Sequence, residues 1–156
     1  MNNFWSFCYN LALSLWIGGI SIFTFMVTPV IFKSFDRDMA GSIVGKLFPG
    51  YFIYNTVLSV VVLILLQMMR PLLMRSGFKL SLFLVVSAIV INIFIVFKLH
   101  PDAVKVKREI HSFQTPADDT PLRKEFRKLH AVSSVLNLLL LADGVTLLVI
   151  SILKKQ

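Results

Sequence analysis

The chain has 156 residues, of which 56% are hydrophobic and only 15% charged, with a mean hydropathy of +0.79. A soluble domain carries about a quarter charged residues, so this composition excludes an ordinary water-soluble globule and points to the bilayer as solvent. The net charge of +8 fits either nucleic acid or anionic lipid; the basic residues flank apolar runs and form no nucleic-acid module, so the expected partner is the lipid bilayer, anionic lipid included, and not nucleic acid.

Apolar runs occupy about 4–32, 50–70, 79–99 and 129–153. Each supplies the roughly 20 residues that crossing the hydrocarbon takes. Little is left for a separate soluble domain, so residues 1–156 are expected to form a single four-span transmembrane domain. The first run lacks a basic leader and a small-residue cleavage pattern, and it is expected to stay in the mature protein. Along it Asn10, Ser14, Gly18, Ser21, Thr24 and Thr28 form a stripe of small or hydroxylated groups. Such a stripe suits close packing, within the bundle or against a second copy, so a homo-oligomer stays open. Cys8 is the sole cysteine, which excludes an intrachain disulfide and a cysteine-rich metal site.

The connections carry the charges. Asp36 to Lys46 reads as a short helix between the first two spans. Beyond the third span, Ala103, Val106, Ile110 and Phe113 recur at helical spacing and predict an amphipathic helix. Thr115 to Thr120 reads as a turn, and Thr120 followed by Pro121 starts a helix that continues into the fourth span. The expected fold is therefore all-α: an integral membrane four-helix bundle whose third and fourth helices extend beyond the bilayer as a hairpin at about 100–128. The first and third connections together hold 11 of the 16 Lys and Arg residues. The positive-inside rule puts them in the cytoplasm and both termini outside, in a multi-pass protein of a bacterial inner membrane.

Polar residues inside the spans locate a candidate site. Asn55, Asn92 and Asn137 fall near one depth if the spans alternate direction, and Thr24 reaches a similar level, about 10 Å below the cytoplasmic ends. Such groups face one another or water rather than lipid, as interhelical hydrogen bonds or as a ligand-binding layer. His100 ends the third span and His130 enters the fourth, and two imidazoles on neighbouring helices are the minimum for a bis-histidine haem or half of a transition-metal site. An amphipathic boundary role is the alternative for both. His111 reads as a residue of a solvated face. Asp143 falls near the middle of the fourth span, where a charge costs about 2.5–3.5 kcal/mol. It belongs either to a proton or cation pathway or to a hydrogen bond with a neighbouring helix.

Several motifs carry a resemblance that covers nearly the whole chain. LWIGG (Leu15 to Gly19), Ala40 with Gly41, GKLFPGYF (Gly45 to Phe52), Arg108 with Glu109, and FRKLHAVSSVLN (Phe126 to Asn137) resemble the DUF4149 family of unknown function, which includes eukaryotic transmembrane protein 205. A more distant likeness runs to copper resistance protein D-like and small haem-containing membrane proteins. The resemblance implies a four-span helical bundle and no defined reaction. It picks out Lys46, Phe48, Pro49, Tyr51, Arg108, His130, Ser133 and Asn137 as the residues matching the motifs, whereas His100 and Asp143 lie outside the pattern.

Lys46, Tyr51 and Arg108 are expected at the cytoplasmic mouth, and His130, Ser133 and Asn137 share one face of the fourth helix. The expected site is a funnel from a basic rim to a polar layer, made of Lys46, Tyr51, Asn55, Asn92, Arg108, Ser133, Asn137 and Asp143, with His130 and His100 as candidate metal or haem ligands. The sequence contains no phosphate-binding glycine loop, nucleophile elbow or paired intramembrane carboxylates, so enzymatic activity other than haem-dependent oxidoreduction is not expected. Three functions stay open: binding or transport of a metal complex, lipid or small anion; a b-type haem protein in electron transfer or redox chemistry; and a structural or accessory subunit.

Overall fold

The computed structural model describes residues 2–70, 75–110 and 120–153, all but a few of them helical. His111, Phe113 and the 115–119 part of the expected turn lie outside the described residues. Among the described residues are six α-helices, α1 (Asn2–Ile22), α2 (Thr28–Ser34), α3 (Arg37–Met68), α4 (Arg75–Phe94), α5 (His100–Glu109) and α6 (Pro121–Leu153). Two π-helical segments, Phe23–Val27 and Ile95–Leu99, join α1 to α2 and α4 to α5 without a break, so the molecule consists of four rods.

All four rods contain a stretch long and apolar enough to cross a membrane. Their outer faces are apolar as well, with Phe25 at 62%, Phe83 at 68% and Phe97 at 77% exposure. An exposed hydrophobic belt of that kind is what a lipid solvent demands, and the protein is a multi-pass membrane protein. The first rod packs on α3 and α6, and α4 packs on the same two, giving an up-and-down four-helix bundle. At 1.5 Å per residue a 33-residue rod is about 50 Å long, roughly 20 Å more than the hydrocarbon, and α5 packs against α6.

Both π segments have a local cause. Each ends two residues before a proline, Pro29 or Pro101. A proline inside a helix lacks an N–H and clashes with the carbonyl four residues back. The widened turn, closed by Thr28 N–H on Phe23 O and His100 N–H on Ile95 O, accommodates that defect without ending the helix.

The short helix expected from Asp36 to Lys46 is not separate. Asp36 caps α3, its Oδ1 accepting from the Met39 N–H at 2.9 Å, and the helix then runs through Pro49 to Met68. The cap gives the helix a firm start, and the Pro49–Gly50 pair is carried inside the helix without stopping it.

Packing also corrects the reading of the small-residue stripe. Ser14 is exposed, and a Cβ on Gly18 would meet nothing within 4 Å, so neither mediates close approach within the bundle. Gly19 does: a Cβ there would collide with the ring of Tyr54, whose hydroxyl donates to the Leu15 carbonyl at 2.7 Å. Gly144 performs the same service between α6 and α1, since an added Cβ would stand 3.0 Å from Ile17. Leu13, Trp16, Ile20, Val85, Leu140 and Leu147 fill the core between these contacts at 0% exposure.

Candidate functional site

The end of the bundle that carries α5 and the first turns of α6 is hollow. Tyr51 on α3 stacks on Phe23 of the first π segment, ring centroids 4.1 Å apart. Its hydroxyl donates to Asn137 Oδ1 on α6, and Asn137 Nδ2 donates to Thr24 Oγ1 at 2.7 Å. Three rods are thus clasped by one amide whose donor and acceptor are both used, an arrangement that fixes its orientation. Thr24 reaches Asn137 from within the widened turn, so the defect that Pro29 imposes also contributes a wall of the site.

Above this clasp three hollows meet at Phe48 and His130. A cavity of about 290 Å³ lies between the first rod, α3 and α6; Thr24, Tyr51, Ser133 and Asn137 give it polar groups, and Phe23, Phe25 and Leu138 give it apolar walls. A second of about 230 Å³ lies toward the helix ends, between Phe32, Phe126, Arg37 and Lys107. The third, about 70 Å³, is enclosed by α3, α5 and α6 and contains both His100 and His130.

The expected site residues separate into four groups. Tyr51, His100, His130, Ser133 and Asn137 come together around the hollows. Asn55 and Asn92 are fully buried below them, and the expected depth of this layer matches the observed Thr24–Asn137 bond. Asp143 lies deeper, and its Oδ2 accepts from Ser87 on α4 at 3.1 Å. Lys46 and Arg108 are exposed and line none of these three hollows.

The cationic groups at the rim are instead Arg37 and Lys107, which the sequence reading passed over. The α5 residues that line the hollow are His100, Ala103, Val104 and Lys107, while Val106 and Ile110 are half-buried. Counting from His100, the positions i, i+3, i+4 and i+7 were the signal. Lys107 lies over Gly41, its Nζ 3.2 Å from where a Cβ would stand, and Asp38 is in electrostatic range of the same ammonium.

His100 packs edge-on against Phe48 and is near Phe52, with centroids at 6.1 and 6.4 Å, while His130 stacks on Phe126 one turn back. The space the two imidazoles share has room for several waters. Among the described residues there is no group of three or more His, Cys, Asp or Glu side chains that could hold a metal ion.

Residues 11–112 match a family described as a domain of unknown function, DUF4149. The chain belongs to that family. A stretch of 40 residues is 48% identical to an uncharacterized protein of Aquifex aeolicus (strain VF5), covering 26% of this chain and 30% of that protein's length. No solved structure matches the chain. Family membership agrees with the motifs between Leu15 and Glu109, the match ends before the Phe126–Asn137 motif, and the activity is left to be argued from the site.

Proposed function

We propose that this DUF4149 protein binds an amphiphile with an anionic headgroup, a membrane lipid, at the His130 end of the bundle, the end that the Lys and Arg bias assigns to the cytoplasmic face. One observation carries the reading. The cavity of about 290 Å³ counts Phe25 and Leu138 among its walls, and these two side chains, 62% and 48% exposed, stand on the outer surface of the bundle. The cavity is therefore entered sideways, from the hydrocarbon. An acyl chain lies against Phe23, Phe25 and Leu138, while the headgroup turns toward Ser133 and His130 and then Lys107 and Arg37 in the adjoining hollow.

The chemistry favours this over the other readings. A small hydrophilic anion has no use for aromatic walls, and a metal complex finds two imidazoles with no third ligand. An accessory subunit needs its polar groups on an outer face, whereas Tyr51 and Asn137 point inward. A basic residue near anionic lipid contributes about 1 kcal/mol. Native mass spectrometry of the protein released from mild detergent tests the proposal. Anionic lipid is expected to remain bound in preference to zwitterionic lipid, and Arg37→Gln with Lys107→Gln is expected to reduce that preference about thirtyfold. Equal retention of both lipid classes by the unmodified protein would overturn it.

A further inference from the structure

Four polar atoms in the core have no hydrogen-bond partner among the described residues: the indole Nε1 of Trp16, both amide atoms of Asn55 and the Oδ1 of Asn92. All three side chains have 0% exposure. They belong to three different rods, and the packing brings them to one stretch of the interior. Leu15, the neighbour of Trp16, accepts the hydroxyl of Tyr54, the neighbour of Asn55, which sets α1 and α3 in register there. On its other side Trp16 abuts Gly144, the residue after Asp143. Asn92 is bracketed on α4 and α5 by Ser87, bonded to Asp143, and His100, packed near Phe52.

Leaving such atoms bare costs about 1–3 kcal/mol each, and the surrounding hydrocarbon offers no replacement. The neighbours offer little. The Tyr51 hydroxyl gives its proton to Asn137, so toward Asn55 its oxygen can only accept and leaves the Asn55 Oδ1 bare, and Asn92 Nδ2 donates to the Ala88 carbonyl at 3.0 Å. The bare set is mixed: the indole and the Asn55 Nδ2 donate, whereas the Asn55 and Asn92 oxygens accept. An anion would call for donors alone and a metal ion for acceptors alone. A guest that both donates and accepts, and is small enough for a sealed core, is water, which when buried makes about three hydrogen bonds.

We infer that Trp16, Asn55 and Asn92 bind a cluster of internal water at the centre of the bundle. The cluster lies between the Tyr51–Asn137 clasp and the Ser87–Asp143 pair. It adds polar groups to the core between the His130 hollows and Asp143, and it does so whether or not the lipid proposal holds.

NMR on the whole chain in micelles tests this, with Trp5→Phe leaving Trp16 as the single indole. The indole proton of Trp16 is expected to show cross-relaxation with long-lived water. That signal is expected to be lost in Asn55→Leu with Asn92→Leu, where the side chains neither bind water nor leave room for it, and retained in Asn55→Ser with Asn92→Ser. Absence of a water signal at Trp16 in the Trp5→Phe protein overturns the inference, as does a signal undiminished by the leucines. If the leucine pair prevents folding, the Trp5→Phe measurement and the serine pair still decide the matter.

Discussion

The two ends of the bundle are built on different terms. Toward the end formed by Asn10, Met69 and Ser151, the helices meet through fully buried Leu13, Leu66 and Leu147, and the Ser151 hydroxyl links α6 to α1 by donating to Asn10 Oδ1 at 2.7 Å. Toward the His130 end, prolines widen two of the rods, aromatic rings replace leucines, and hollows of about 70–290 Å³ remain between them. Tight packing optimises stability, and hollow, hydrogen-bonded packing leaves space for a guest. The contrast teaches that the protein concentrates its cohesion at one end and its binding chemistry at the other.

Substitutions at the two ends should accordingly separate stability from binding. The largest effect on stability is expected at the packed end: Leu147→Ala removes a side chain with 0% exposure and is expected to cost about 2–5 kcal/mol in thermal or denaturant unfolding, while bound lipid is unchanged in mass spectra at temperatures where the protein stays folded. Tyr51→Phe should behave in the opposite sense. It leaves Asn137 Oδ1 without its donor, costs about 1 kcal/mol in unfolding and lowers lipid retention more than Leu147→Ala does. The smallest effect is expected from Asn10→Ala, which removes only the link to Ser151 and should cost about 0.6 kcal/mol with no change in binding. A Tyr51→Phe protein with full lipid retention, or an Asn10→Ala protein with impaired retention, would dissolve the contrast.

Much of this was legible in the sequence because hydrocarbon imposes simple rules. Apolar runs had to be spans, and Asn137 and Thr24, which could not face lipid, had to face each other; the bond between them is the outcome. The rim was harder. Lys46 and Arg108 stood in recognisable motifs, yet both are exposed, and the groups that line the hollows are Arg37 and Lys107. Which of two adjacent cations turns inward depends on the rotation of α5 against its neighbours, which periodicity within the helix leaves open. The partner of Asp143 was hidden for a related reason, since Ser87 meets it only through the relative placement of α4 and α6. Gly19 and Gly41 show that small residues report close approach only once the opposing side chain, Tyr54 or Lys107, is known.

The lateral entrance is the central claim, and a photoreactive lipid measures it most directly. An anionic phospholipid with a diazirine in its acyl chain, incorporated into vesicles with the protein, is expected to label the segments containing Phe25 and Leu138 well above other lipid-facing positions such as Phe83, which is 68% exposed on α4. Excess unlabelled anionic lipid should suppress that labelling, and Arg37→Gln with Lys107→Gln should weaken it. Even labelling of Phe25, Leu138 and Phe83, insensitive to competitor, would contradict a bound lipid at the His130 end.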